Sequence, residues 1–358
     1  MISIIGAGPV GSYLAYLASK HSKVQVYEEH RVIGKPIQCT GIMTSLIEGI
    51  IPIRKQFLVN TIDRADIIAP NGKRVSMKLK EKNVIVHRAL FDQHIAEKAQ
   101  DQGATFLSEQ RFLSAKREGT QWHLHFQGKT KEAKTDVLVG TDGPGSQVAK
   151  SIGLWGKRKF MIGVQARVSM DVDPGLVEFY VAQDGMIGWV VPENESIARL
   201  GIGAYANAND HFRRLMKRCA PGCKIREYQS GLIPVYNPSL QTEKDNAFLV
   251  GDAATHVKAT TYGGIIQGMM AAEELNKTLL KGGSYHARWK KRIGRDLWLS
   301  LYMRKKLDAF SDKKYNSLVE LFQQPKLKSI LETYDRDVPT KFALQLLLRE
   351  PRLLLYAF

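Results

Sequence analysis

Short apolar runs and stretches of helical periodicity alternate through the first 150 residues. Ile2-Ser3-Ile4-Ile5 is the first run and Val24-Gln25-Val26-Tyr27 the second, with a helical stretch between them. Asn83–Arg88 predicts a strand leading into a helix over Ala89–Gln102, whose apolar positions are Leu90, Phe91, Ile95 and Ala99. Gly103 stops that helix and Ala104–Leu107 returns as a strand. A polar meander follows at Phe112–Lys116 and Trp122–Phe126, with turns at Gly119 and Gly128. The buried run Asp136–Gly140 then ends in Thr141-Asp142-Gly143-Pro144-Gly145-Ser146.

From about Lys157 to Lys244 the pattern changes to short alternating stretches. Phe160–Met170, Leu176–Gln183, Met186–Val191 and Ala198–Ala204 predict strands of an antiparallel sheet. The earlier alternation Ile62–Ser76, turning at Pro70-Asn71-Gly72, is assigned to the same sheet. Phe248–Asp252 is a further buried strand, followed by a glycine-bearing loop and a helix over Ile265–Lys281. His286 to Phe358 is helical in pattern and basic. No internal repeat or low-complexity tract interrupts this order.

The first strand runs straight into Gly6-Ala7-Gly8-Pro9-Val10-Gly11 and then a helix. In such a G-x-G-x-x-G turn Gly6 permits the tight bend, Gly8 admits a pyrophosphate to the backbone, and Gly11 lets helix and strand pack closely. The second strand ends on Glu28, 17 residues past Gly11, where a carboxylate can bridge ribose hydroxyls. The plain alternative is a glycine-rich turn that binds nothing; strand, helix and acid together favour a dinucleotide site. Gly251-Asp252-Ala253-Ala254 closes another strand ahead of Gly263-Gly264-Ile265 at a helix start. Asp252 can accept from a ribityl hydroxyl, and the amides of Gly264 and Ile265 can meet a flavin's pyrimidine edge or phosphate. Asp142-Gly143 ends a third strand on the same side of the sheet, where open α/β sheets bind ligands.

Composition narrows the class without deciding the function. The chain has 358 residues, 44% hydrophobic and 24% charged, enough for about two soluble domains. The nucleotide fold starts at Ile2 with no secretory signal ahead of it, and no apolar run nears the ~20 residues of a membrane span. Cys39, Cys219 and Cys223 are too few for a disulfide framework, which points to a reducing cytoplasm. Cys219 and Cys223 have the spacing of a small disulfide or half a metal site, but no second Cys/His pair completes one, so two free thiols and no metal are expected. Lys and Arg number 52 against 35 Asp and Glu, a net charge of +17. Such a field attracts polyanions, yet no nucleic-acid motif accompanies it. From His286 to Phe358 there are 16 Lys and Arg against 8 Asp and Glu, ending in the apolar stretch Phe342, Leu344, Leu346–Leu348 and Leu353–Leu355. Those leucines either pack as core or wall a lipid channel.

Gly6–Gly11, Glu28, Arg88, Asp142-Gly143 and Gly251-Asp252 together resemble the flavoprotein hydroxylase–reductase superfamily, which binds FAD. Within it the chain is similar to the geranylgeranyl reductase family, including archaeal enzymes that saturate digeranylgeranylglycerophospholipids. The narrower match lies in Lys35–Gly41, Val86–Asp92, Gly188–Pro192 and Gly251–Ile265, with Asp335-Arg336-Asp337 through Arg349-Glu350-Pro351 at the end. The resemblance implies an α/β fold: a Rossmann-like FAD-binding domain (1–58, 84–156 and 245–285), an antiparallel-sheet substrate domain (59–83 and 157–244) and a helical C-terminal extension (286–358). It places FAD contacts on Gly6, Gly8, Val10, Gly11, Glu28, Cys39, Thr40, Arg88, Asp142, Gly143, Asp252, Gly263, Gly264 and Ile265, with backbone near Phe112 offered to the adenine. It puts Cys39 by the reactive ring and Trp189 on the substrate side. Cys39, a water or His256 then supplies the proton that accompanies hydride transfer.

Each of these has a plainer reading. Arg88 as an ordinary ion-pair partner, Cys39 as a packed thiol, Trp189 as sheet core and His256 as a solvent-facing loop residue are the alternatives. The family's Tyr-x-Trp-x-Phe-Pro pattern survives as Trp189 and Pro192, with Ile187 and Val191 at the Tyr and Phe places, and Tyr262 stands where a glycine is usual. The implied activity is reduction of isoprenoid C=C bonds in lipids or prenyl diphosphates. The implied partners are an external electron donor (ferredoxin, reduced flavin or NAD(P)H) and an anionic membrane met peripherally, not nucleic acid. A flavin-dependent monooxygenase and a non-catalytic flavin- or lipid-binding protein are the competing readings.

Overall fold

In the computed structural model the described residues are 1–333, Asp337, 340–353 and Tyr356, without the side chains of 341–344 and 347. The chain divides into two units, 1–37 with 88–159 and 233–298, and 38–87 with 160–232 and 299–358.

The first unit is built on a six-stranded sheet in the order Glu243–Lys244, Ala247–Leu249, Val137–Gly140, Ile2–Ile5, Val24–Tyr27, Thr105–Leu107. All pairings are parallel except the edge pair Glu243–Lys244 with Ala247–Leu249. Parallel strands need crossovers, and the helices Pro9–Ala18 and Arg88–Asp101 supply two of them. Every residue of Ile2–Ile5 is buried, because both faces of the sheet are covered. Ile5, Tyr27, Leu138 and Leu249 share one apolar cluster with Phe112, Trp122, Leu124 and Phe126 of the three-stranded meander Arg111–Glu118, Gln121–Gln127, Glu132–Thr135. Phe112 is therefore a core side chain, edge-on to Phe126 at 5.8 Å between ring centres.

The second unit is an eight-stranded sheet: Ile225–Pro234, Phe160–Ser169, Ile197–Ala204, Ile187–Asn194, Leu176–Val181, Leu58–Ile68, Arg74–Val86, Ile42–Met43. It is not wholly antiparallel as the alternation suggested, because Leu176–Val181 pairs in parallel with Leu58–Ile68. The helix Ala208–Cys219, inside the stretch read as strands alone, covers one face through Phe212 and Leu215. The other face carries Ile62, Val177, Val191 and Trp189, packed in part by Val319, Phe322 and Leu331. The helices from Leu299 onward group with this sheet. Leu346 and Leu353 of the apolar tail are buried with Leu321, Leu327 and Ile330, whereas Leu348 is exposed. Side chains of Phe342, Leu344 and Leu347, and residues 335, 336, 354 and 355, lie outside the described residues. No helix among the described residues is long and apolar enough to cross a membrane.

Candidate functional site

In the first unit the glycine turn is fixed by close packing. Gly6 has φ of +100°, and a Cβ there would lie 2.6 Å from the Thr141 carbonyl oxygen. A Cβ on Gly11 would meet the Gly6 oxygen at 2.1 Å. Gly8 differs, since nothing lies within 4 Å of its Cβ position, so the space above it is open to a ligand. Gly8 is the N-cap of Pro9–Ala18, with no side-chain cap and no acid in the first turn. The helix amides and the positive end of its dipole are thus left for an anion. Val10 presses its side chain against Gly251 and Gly268.

Glu28 is held at the end of the second strand by the Ala7 N–H, which donates to Oε2 at 2.8 Å, and by the His30 N–H to Oε1 at 2.9 Å. The same acid therefore joins the glycine turn to the strand it terminates. Arg88, first residue of its helix, makes a two-point pair with Asp92 one turn on, Nε to Oδ1 at 3.2 Å and Nη2 to Oδ2 at 2.9 Å. Burial pushes the Asp92 carboxyl up, with Arg88 opposing. Arg88 also acts on Asp252, so the structure brings these two sequence-predicted residues together.

Asp252 sits in the turn Gly251–Ala254. Burial pushes its carboxyl up to about 6, with Arg88 lowering it, and no hydrogen bond from the described residues reaches its side chain. A Cβ on Gly264 would come within 2.9 Å of Asp252 Oδ1, so only glycine lets the start of the helix Ile265–Lys281 approach this carboxylate. That helix also lacks a side-chain cap. Gly263 lies beside the buried Lys258, a residue the sequence analysis passed over. Tyr262, at the place of a usual glycine, adopts φ of +58°, the left-handed conformation that glycine takes without cost.

Asp142 is a correction of emphasis. Its carboxylate accepts from Ser146 Oγ at 2.6 Å and from the Val148 N–H at 2.9 Å, so its side chain anchors the short helix Gln147–Ser151. Gly143, at φ of +74°, makes the turn after it. His256 is corrected outright. Its ring is fully buried, with neither nitrogen hydrogen-bonded, and lies 4.4 Å from the Trp289 ring centre. Burial, then His286, pushes it down to about 3, so it is neutral and no source of a proton at neutral pH.

In the second unit Thr40 and Trp189 converge on one side chain. Thr40 Oγ1 and Trp189 Nε1 both donate to Gln165 Oε1 at 2.8 Å. Gln165 Nε2 donates to Gln229 at 2.6 Å, and Gln229 to Glu227 at 3.1 Å. Arg167 forks onto Glu193 at 2.8 and 2.7 Å and reaches Glu227 at 3.4 Å. Arg199 donates to Glu193 at 2.7 Å, to the Val86 carbonyl at 3.2 Å and to the Thr40 carbonyl, which closes a ring of polar contacts. Burial pushes Glu193 up, but Arg167 and Arg199 outweigh it and hold its carboxyl below the ordinary value. Trp189 lies flat over Gly201, where a Cβ would be 2.7 Å from the indole. Cys39 is a half-buried free thiol whose sulfur accepts the Gly41 N–H at 3.4 Å. Cys219 and Cys223 are free as well.

An open glycine cradle at a helix N-terminus, a ribose-ready acid and a half-buried carboxylate without a hydrogen-bond donor by a second helix start fit FAD, and the fold is that of an FAD-dependent oxidoreductase. Digeranylgeranylglycerophospholipid reductase 2 of Methanothermobacter thermautotrophicus is 30% identical, over 92% of this chain and 93% of its own. The digeranylgeranylglycerophospholipid reductase of Methanocaldococcus jannaschii is 27% identical over 99% and 96%. The chain belongs to the digeranylgeranylglycerophospholipid reductase family. Among solved structures, a geranylgeranyl bacteriochlorophyll reductase-like protein from Thermoplasma acidophilum has a TM-score of 0.85 at 21% identity, covering 97% of both chains. A halogenase in complex with FAD reaches 0.68 at 14% identity, covering 96% of this chain and 85% of its own. No protein-family model matches the chain.

Proposed function

We propose that this protein is an FAD-dependent reductase that saturates C=C bonds of isoprenoid chains, carried as geranylgeranyl groups of lipids or as their diphosphate precursors. The observation that carries this reading is the half-buried Asp252, its carboxylate without a hydrogen-bond donor among the described residues, in the same unit as the open glycine cradle, in a chain of this family. Reduced FAD, when bound, supplies the hydride. An isolated alkene has no carbonyl to polarise, so the chain's own work is to orient and to keep the reacting groups dry. Gly6–Gly11 and Arg88 take the pyrophosphate, Glu28 the ribose hydroxyls, Asp252 a ribityl hydroxyl, and the Gly264 and Ile265 amides the pyrimidine edge. Cys39 or a water, not His256, donates the proton, Thr40 contacts the cofactor, and Trp189 walls the isoprenoid. An external reductant of the ferredoxin, reduced-flavin or NAD(P)H class restores the flavin.

The test is anaerobic. Protein with reduced FAD should be reoxidised on adding a geranylgeranyl lipid, and no reoxidation by any isoprenoid would contradict the proposal. Asp252→Ala should weaken FAD binding by about 1.5–3 kcal/mol through loss of a charge-assisted hydrogen bond. The pH dependence has a definite sign. Asp252 is raised in the folded protein, so its contribution to stability is present below its unfolded value and is lost as pH rises through about 6. For FAD-free protein this amounts to about 3 kcal/mol at most, and Asp252→Asn should remove it from the melting profile. FAD affinity should run the other way and rise through the same interval, since the carboxylate is the better acceptor. Cys39→Ser should shift turnover or the degree of product saturation while the melting temperature stays. Unchanged activity with a lowered melting point would return Cys39 to the core.

A further inference from the structure

The helix Ala208–Cys219 buries Phe212 and Leu215 against the eight-stranded sheet and exposes Arg213, Arg214 and Lys217 on its other side, with Arg218 exposed at the flank, its guanidinium 5.1 Å from the Tyr180 ring centre. Between 208 and 226 there are six Lys and Arg and one acid, Asp210, which pairs with Arg213. The neighbouring edge strand Ile225–Pro234 alternates. Glu227 and Gln229 turn to the polar ring, whereas Tyr228 turns to the helix, its ring edge-on to Phe212 at 6.3 Å. Leu232 and, on the adjoining strand, Ile162 share that face by their alternation. Tyr228 is 67% exposed, Leu232 48% and Ile162 41%.

A solvated helix face accounts for the cations but not for an aromatic and two aliphatic side chains left in water beside them. We propose that this face docks on an anionic lipid bilayer. Charge complementarity names the occupant: long cationic side chains of one sign meet phosphates, while hydrocarbon lies roughly 5–10 Å deeper for Tyr228, Leu232 and Ile162. The docking rests on the reading of the substrate as a lipid, and it names the surface by which the protein reaches it.

The test is flotation with vesicles of phosphatidylglycerol and phosphatidylcholine, or of phosphatidylcholine alone, at low and high salt. The full chain should float with the anionic vesicles at low salt. Arg214→Glu/Lys217→Glu/Arg218→Glu should lose that binding by more than about 100-fold, each cation contributing on the order of a tenfold factor or less. Tyr228→Ser/Leu232→Ser should lose about tenfold at either salt, because it removes the apolar part. Melting temperature and reduction of a dissolved prenyl diphosphate should stay unchanged in both variants. Flotation of the triple variant like the parent, or parent binding to a short duplex nucleic acid in preference to vesicles, would overturn the docking. Flotation that depends on the three cations in a protein that reduces no isoprenoid would uphold the docking and overturn the reductase reading.

Discussion

Gly11→Ala is expected to yield a protein that neither retains FAD nor reaches the parent melting temperature. The added Cβ would sit 2.1 Å from the Gly6 carbonyl oxygen and 2.4 Å from Thr141 Oγ1. Neither can retreat, because the Thr141 hydroxyl donates to the Ile5 and Gly6 carbonyls at 2.9 and 2.8 Å at the end of the central strand. Relief requires moving the helix Pro9–Ala18 off the sheet, at about 3 kcal/mol or more. Gly8→Ala is the matched contrast. Gly8 has φ of −65° and ψ of 179°, which alanine adopts freely, and no protein atom waits within 4 Å. Its melting temperature without FAD should equal the parent's, while FAD affinity falls at least about tenfold because the methyl occupies the pyrophosphate's approach. Melting curves of the FAD-free proteins and flavin titrations separate the two. Full FAD affinity in Gly8→Ala would place the cofactor elsewhere.

Arg199→Met should cost about 3 kcal/mol of stability, the low end for breaking a buried ion pair, since Arg167 still serves Glu193. The loss has a local consequence that an ordinary core defect lacks. Arg199 is the donor to the carbonyls of Thr40 and Val86, so its removal frees the segment that carries Cys39. Alkylation of Cys39 should then speed up by more than the change in global stability explains. Arg199→Lys should recover little, because a lysine cannot reach Glu193 and two carbonyls with one fork. A parent-like melting temperature together with parent-like alkylation would dismiss the ring as a brace for this segment.

The residues that were legible in advance are those whose role is local. Ile2–Ile5 followed by G-x-G-x-x-G predicts strand, turn and helix from adjacent positions, and the helix Ile265–Lys281 has the bounds its periodicity suggests. The helix Ala208–Cys219 was hidden in a region of strands, although Phe212, Leu215, Met216 and Cys219 already mark one helical face. The parallel pairing of Leu176–Val181 with Leu58–Ile68 joins segments more than a hundred residues apart, and no local pattern encodes that neighbour. The polar ring was illegible for the same reason. Arg199 stands opposite Arg167 on one neighbour and Val191 on the other, and only that register shows that Glu193 must lie between two guanidiniums. His256 looked like a loop residue because the tryptophan that buries it, Trp289, arrives 33 positions later. Asp142 shows the limit of a motif: the glycine after it makes the turn, but its carboxylate is engaged by Ser146 and Val148.

The central claim is that flavin held in this cradle reduces isoprenoid double bonds, and one measurement addresses it most directly. Protein carrying chemically reduced FAD is incubated without oxygen with a digeranylgeranyl glycerophospholipid, and the extracted lipid is weighed by mass spectrometry. The lipid should gain the mass of two hydrogens for each bond saturated, a gain lost in Gly8→Ala. A lipid of unchanged mass, with reduced flavin instead consuming oxygen once air is admitted and leaving an added oxygen atom on the lipid, would contradict it.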